Sequence, residues 1–416
     1  MPLPLNPSTP PIQFPSNITS RRHFIQVASL ALVHSQTTAK AAEVPLIESI
    51  EKVVLPVPPF AKSAWFGPRA CMVGKKALMT VQPIMGSDYF GPVQWATSDD
   101  FGKTWSPFRP ASPFGWVPLP DGNNEAVCDV TPSLHPKTGS VLALGHNVYY
   151  KTKGFYRDQP PRWPIYAVWK DGEWGPRRKL VWDDPRGSAI YSNNCGQRVM
   201  LPDGDVLMSF TFGAKDQTRI VCPVLCSFDG QELVIKKTGM EFTIDKGRGL
   251  LEPSLTQFKG RFYLTMRAED RRGYVAVSDD GMNFEPKKEW TWANGEPLMT
   301  NSTQQHWLTH SDALFLVYTR QDATNEKVIR WRAPLWVAQV DPATLHLIRA
   351  TERVVLPLMG DGVNAADLVP IMGNFGVCNV TPTESWVTDA SWCPKNNDGE
   401  FQLARVKWSR PNALPI

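Results

Sequence analysis

Two carboxylates and one guanidinium carry the clearest chemical potential in this sequence. They are Asp88 in Gly86-Ser87-Asp88-Tyr89-Phe90-Gly91, Glu252 in Leu251-Glu252-Pro253, and Arg267 at the end of the next apolar run. Cleavage of a glycosidic bond commonly uses two carboxyl groups about 5 to 9.5 Å apart, one giving a proton and the other acting as nucleophile or base. A carboxylate beside an arginine stays ionised, whereas one in apolar surroundings holds its proton more tightly. Asp88, beside Tyr89 and Phe90, therefore suits the acid, and Glu252 near Arg267 suits the base or supporting anion. The bland alternatives are a turn cap for Asp88 and a strand-edge ion pair for Glu252.

Two further clusters offer hydrogen-bonding or acid/base groups. Asn301-Ser302-Thr303-Gln304-Gln305-His306-Trp307 is a polar run leading into an apolar strand, and Gln304 and His306 are its candidate substrate contacts. Gly145-His146-Asn147-Val148-Tyr149-Tyr150 follows the apolar run Val141-Leu142-Ala143-Leu144. There His146 is a candidate acid/base group and Tyr149 a candidate stacking or binding group. Structural histidines with satisfied hydrogen bonds are the commoner outcome for both clusters.

The elements that must hold these groups read as strands. From Leu251 to Phe284, period-2 alternation is interrupted by turns at Lys259-Gly260, Arg271-Arg272-Gly273 and Ser278-Asp279-Asp280-Gly281, the pattern of an antiparallel meander. In such a meander, a carboxylate opening one strand and a guanidinium closing the next lie at the same end of the sheet. Arg332 to Asp341 reads as another strand, ending in the turn Asp341-Pro342-Ala343-Thr344. No sustained 3.6-residue stripe follows residue 50, and 38 Pro, 29 Gly and 16 Trp favour turns and aromatic-packed strands.

Ser98-Asp99-Asp100-Phe101-Gly102-Lys103-Thr104-Trp105 fits the pattern S-x-D-x-G-x-T-W at every fixed position. Its physical sense is a closed turn in which the aspartate accepts backbone N–H groups, glycine takes a positive φ, and the aromatic packs between sheets. Degenerate copies follow at Ser227-Phe228-Asp229-Gly230 and Ser278-Asp279-Asp280-Gly281, with a weaker echo at Lys170-Asp171-Gly172-Glu173-Trp174. Recurrence at roughly 50 to 70 residues predicts a radial array of four-stranded sheets.

On these residues the chain resembles the sialidase-like superfamily of Asp-box propellers over about residues 60 to 390. The resemblance implies an all-β propeller of five to seven blades, with six the expected count. It also implies that Glu252 assists a nucleophile, that Arg267 clamps a substrate carboxylate, and that Asp88 is the general acid/base. Arg69, in Gly67-Pro68-Arg69, stands nearest to the family's first clamp arginine, and Arg320, Arg330 and Arg332 compete for the third, with Arg320 preferred. The last blade, where the family carries a tyrosine nucleophile, reads Asn374-Phe375-Gly376-Val377-Cys378-Asn379-Val380-Thr381 without one.

The resulting expectation is an exo-glycosidase acting on terminal anionic or deoxy sugars. One alternative is a rhamnosidase or uronate lyase in which a histidine carries the chemistry; the other is a non-catalytic carbohydrate-binding propeller. Neither a cofactor nor a metal is expected, since no His/Cys/Asp cluster has ligand spacing along the chain.

Ser20-Arg21-Arg22-His23-Phe24, a modest apolar run and Ala39-Lys40-Ala41 read as a twin-arginine export signal over residues 1–41, which would place the protein in the periplasm or outside the cell. Residues 42–59 read as a lead-in segment and 60–416 as a single propeller domain. The apolar run is too short to span a membrane, which takes about 20 residues. Net charge is +4 for the chain and +1 without residues 1–41, which speaks against nucleic acid as a partner. Seven scattered cysteines, Cys71, Cys128, Cys195, Cys222, Cys226, Cys378 and Cys393, read mainly as buried thiols, and their odd number leaves at least one outside any internal disulfide.

Overall fold

The computed structural model describes residues 44–56, 63–152, 154–192, 196–214 and 217–414, with the side chains of 190–192 excepted. The expected export signal lies outside the described residues, and so does Cys195. Residues 44–416 form one compact unit. Among the described residues the regular structure is β-strand, with only short 3-10 turns beside it.

Each sheet is built by neighbouring antiparallel strands. One contains Ala64–Val73, Lys76–Gly86, Gln94–Ser98 and Arg109–Pro110, with Tyr89–Phe90 pairing beside it. The next is the largest, with the long hairpin Asn124–His135 and Ser140–Lys151 followed by Pro164–Lys170 and short flanking strands. Then come a sheet around Val206–Phe212 and Ile220–Phe228, and the meander Leu251–Phe258, Arg261–Arg267, Gly273–Ser278 and Lys288–Glu289. A sheet of His306–Thr309, Leu314–Tyr318, Leu335–Val340 and Arg353–Leu356 follows. In the last, Gly376–Thr381, Glu384–Ala390 and Phe401–Trp408 are completed by the N-terminal strand Ile47–Val54.

One expectation is corrected here. The sheets are not uniformly four-stranded, because short segments such as Gly154–Phe155 fold back to pair as extra strands. Within the expected lead-in segment, Ile47–Val54 form a strand that pairs with Phe401–Trp408, from Ile47 opposite Trp408 to Val54 opposite Gln402.

Successive sheets share cores around a closed circuit, which makes the architecture a β-propeller. Leu78 and Trp95 pack with Val141 and Ala143 of the next sheet, and Leu142 and Leu144 on that sheet's other face pack with Val206 and Met208. Leu207 meets Leu255 and Leu264, Val275 and Val277 meet Trp307 and Leu316, and Phe315 and Leu335 meet Val387 and Ala404. Trp65 and Met79 then meet Trp386 and Leu403, closing the ring. Because both faces of each sheet are covered, strands such as Val206–Phe212 are buried at every position, and their sequences read as continuous apolar runs instead of alternation.

The turn at Ser98–Trp105 bolts two sheets together. Asp100 Oδ1 accepts the backbone N–H groups of Lys103 and Thr104 at 3.0 and 2.9 Å, and its Oδ2 accepts the Thr104 hydroxyl at 2.6 Å. Gly102 donates its N–H to Ser98 Oγ at 2.8 Å. Gly102 has φ +73°, and a Cβ there would stand 2.7 Å from the Trp386 ring of the neighbouring sheet. Asp280 builds the same kind of turn with the N–H groups of Met282 and Asn283 at 2.8 and 2.7 Å.

Candidate active site

Irregularities in three strand pairs from three sheets create the site. Cross-strand register shifts between Phe66 and Arg69, between Cys128 and Thr131, and between Leu251 and Ser254. Within or beside these breaks, Gly67, Asp129 and Glu252 take positive φ values of 58°, 57° and 43°. A bulge of this kind re-aims a side chain that regular alternation would send elsewhere. Asp129 and Glu252 thereby reach a common cavity of about 740 Å³, whose wall also includes Asp88, His146, Arg267 and Arg332.

Glu252 and Arg267 form a tight ion pair in which Arg267 Nη1 donates to Glu252 Oε2. Both are mostly buried, with side-chain exposures of 13% and 6%. Ser302 Oγ accepts from the Nε and Nη2 of Arg267 at 3.1 and 2.8 Å, fixing the guanidinium from the far side. Burial pushes the Glu252 carboxyl up, but Arg267, with Arg332 and Arg248 behind it, overcomes that and holds it below the usual range.

Asp129 shows the opposite balance. Burial raises its carboxyl more than Arg69 lowers it, and the nearby Glu252 and Asp88 charges add to the rise. Its backbone N–H is held by Gln82 Oε1 at 3.1 Å. Asp88 occupies the exposed turn between Lys76–Gly86 and Tyr89–Phe90, with φ +57°. That turn is tied down where the Phe90 N–H meets the Tyr150 hydroxyl at 3.2 Å. Arg332 follows the 3-10 turn Ile329–Trp331. Burial, then Arg267 and Arg330, bring its guanidinium down to about 10, and its Nε has no partner among the described residues.

The structure thus gathers Asp88, Glu252, His146 and Arg267 on one cavity and moves the other expected residues away from it. Arg69 is 2% exposed and lies beneath the floor, donating to Gly67 O, Asp129 Oδ1 and Gln304 Oε1 at 3.0, 3.3 and 3.2 Å. Gln304 and His306 belong to the same buried network: Gln304 also bonds Asn374 Oδ1 at 3.1 Å, and His306 bridges Gln304 and Ser254. Burial, reinforced by Arg69, drops His306 to about 3, so it is a neutral packing element there.

Tyr149 points to the strand face opposite His146 and Val148, donating to the Pro161 carbonyl at 3.3 Å. Arg320 is far from the role of a clamp. It makes a two-pronged pair with Glu352, each contact 2.8 Å, and stacks on Trp336 at 4.2 Å.

Two cavity residues escaped the sequence reading, Asp129 and the choice of Arg332 over Arg320. For Asp129 the signal was there: a lone carboxylate inside the apolar stretch Ala126-Val127-Cys128-Asp129-Val130. The expectation that no metal-ligand spacing exists is also corrected. Cross-strand pairing sets Cys128 opposite His146, and the donor atoms of Cys128, Asp129 and His146 lie within 4.8 Å of one another. Asn374, from the segment expected to carry a tyrosine and lacking one, lies on the cavity wall.

No protein-family model matches the chain, and no functionally curated protein matches it. Solved structures do. The sialidase of Trypanosoma rangeli is similar over 82% of this chain and 55% of its own, with a TM-score of 0.57 at 14% identity. The Hadza microbial sialidase Hz136 is similar over 83% of this chain and 66% of its own, with a TM-score of 0.58 at 14% identity. A protein of unknown function from Dyadobacter fermentans is similar over 88% of this chain and all of its own, with a TM-score of 0.60 at 13% identity. The chain therefore spans less than two thirds of the length of those sialidases. No helix among the described residues is long and apolar enough to cross a membrane. Strand order, closure of the ring and these similarities agree that the chain has the sialidase-like β-propeller fold.

Proposed function

We propose that this protein is an exported exo-glycosidase that hydrolyses terminal anionic sugars of glycans or polysaccharides. One observation carries the reading: carboxyl groups from three different sheets, Asp88, Asp129 and Glu252, share a cavity with Arg267 and Arg332. A sugar carboxylate would bind the two guanidiniums. Asp88, at the exposed lip, would give the proton to the leaving group, and Glu252, kept ionised by Arg267, would support the positive charge developing at the anomeric centre. The bound ligand named for one Trypanosoma rangeli sialidase structure, sialic acid, is an anionic sugar of this class. Each of the sheets, taken as one blade, makes the propeller six-bladed in this reading, and residues 1–41 would direct export.

His146 on the cavity wall favours a second reading, proton abstraction from a uronate by a histidine, with Arg267 neutralising the carboxylate. A panel of chromogenic glycosides and uronate polysaccharides separates the two, because elimination leaves a double bond that absorbs ultraviolet light. Glycosidase activity that falls at least a hundredfold in Asp88→Asn and in Glu252→Gln supports hydrolysis. Full turnover in both variants, or an unsaturated product, overturns it.

A further inference from the structure

We propose that Cys128, Asp129 and His146 form a binding site for a thiophilic divalent cation of the zinc class, opening on the same cavity. The inference goes beyond the glycosidase reading and does not depend on it.

The donors come from adjacent strands of one hairpin. Cys128 and His146 are cross-strand partners between Asn124–His135 and Ser140–Lys151, and Cys128 Sγ lies 3.2 Å from His146 Nε2. For a tetrahedral zinc ion with Zn–S about 2.3 Å and Zn–N about 2.0 Å, the sulfur and nitrogen stand roughly 3.5 Å apart, so little movement is needed to admit an ion between them. The register break after Cys128 swings Asp129 out of alternation with φ +57°, which puts its carboxylate on the same side as its neighbour's thiol. In a regular strand, consecutive side chains point to opposite faces and no such trio forms.

The surroundings fit a resident ion as well. Arg69 reaches Asp129 Oδ1 at 3.3 Å, and a carboxylate can accept such a bond through one oxygen while ligating through the other. Val148, Phe66 and Phe90 line the cavity beside the trio, and Phe66 and Phe90 stack at 4.6 Å, giving the apolar shell that strengthens metal–ligand bonds. Sulfur, imidazole and one carboxylate together select zinc, cobalt or a similar borderline ion over magnesium or calcium. Three protein ligands on a cavity wall leave a fourth position for water or a substrate oxygen, the arrangement of sites that do chemistry.

The test uses the full chain, purified with its thiols reduced and stripped of metal. Cobalt(II) titration is expected to give a thiolate-to-cobalt charge-transfer band that saturates at about one ion per chain, with protons released as Cys128 ionises. Zinc should displace the cobalt, and elemental analysis after dialysis should find zinc at the same ratio. His146→Gln and Cys128→Ser are each expected to weaken cobalt binding at least tenfold and to remove or blue-shift the band, with circular dichroism reporting that the variant is folded. Folded wild-type protein that shows no thiolate–cobalt band overturns the proposal, as does a folded His146→Gln that binds cobalt like the wild type. Should a variant fail to fold, Asp129→Asn takes its place in the same titration, and the wild-type spectrum decides on its own.

Discussion

Glu252 and Arg267 meet because Leu251, one residue before the carboxylate, is the cross-strand partner of Arg267. The bulge that follows turns Glu252 through a positive φ so that its side chain lies against the guanidinium and not on the opposite face of the sheet. A buried charge pair of this geometry makes each partner depend on the other.

Arg267→Met should therefore destabilise the protein by about 3 to 5 kcal/mol, since it strands a buried carboxylate. The double variant Arg267→Met/Glu252→Gln should recover part of that loss. Urea unfolding at neutral pH measures both, and a double variant no more stable than the single would contradict the pairing argument.

Arg332→Ala and Arg320→Ala should behave differently although both remove an arginine. The first takes a guanidinium from the cavity and should raise KM for an anionic glycoside at least roughly tenfold. The second breaks a pair with Glu352 away from the cavity and should leave kcat/KM within about twofold. Equal losses in steady-state kinetics would show that the cavity is not where substrate binds.

Asp389 supplies a pH test at a buried carboxyl that does not line the cavity. It is 1% exposed, and burial raises its carboxyl to about 6 against the backbone N–H groups of Gly373 and Ala390, at 2.8 and 2.7 Å. A group raised on folding stabilises the protein below its ordinary value near 3.8, and that contribution is lost as pH climbs through about 6. The stability of Asp389→Asn relative to wild type should accordingly improve by about 2 kcal/mol between pH 4 and pH 7. A difference that stays flat across this interval in urea titrations would refute the raised value.

Gly102→Ala should cost about 2 to 4 kcal/mol. The added methyl meets the Trp386 ring at 2.7 Å in a left-handed backbone conformation, so both overpacking and backbone strain oppose it. A urea midpoint indistinguishable from wild type would mean that the two sheets can part without penalty.

Cys222 and Cys226, 1% and 0% exposed, should resist alkylation in the native state and react once the chain is unfolded. Burial pushes Cys222 up to about 12, which leaves almost no thiolate at neutral pH. Labelling at these positions in native protein, read by mass spectrometry, would place them at the surface.

The fold was legible in the sequence because its signals are local. The meander from Leu251 to Phe284 and the turn at Ser98–Trp105 depend on neighbours a few residues apart, and both appear in the structure where alternation and glycine placed them. Glu252 with Arg267 was legible for the same reason, being two strands of one meander. Asp129, Arg332 and the Cys128–His146 contact were not. Each depends on a bulge or on which sheet comes to face the cavity, and neither changes residue composition along the strand. Arg69, Gln304 and His306 carried the right chemistry for a site but lie one layer below it, where they brace the floor. Arg320 is held in a direct pair by Glu352, 32 residues further along the chain, whereas Arg332 lines the cavity, and nothing in the sequence around either arginine marks that difference.

The pairing of Ile47–Val54 with Phe401–Trp408 has a consequence for how the chain matures. The ring cannot seal until Phe401–Trp408 has been synthesised, so its longest-range contact comes last and Ile47–Val54, made first, stays without its strand partner until then. The first and last strands of the propeller lie side by side, with the Ser409 N–H 2.9 Å from the Leu46 carbonyl. A circular permutant that joins them through a short loop and opens the chain at an exposed turn elsewhere would convert that closure into an ordinary hairpin, and should refold faster than the natural order.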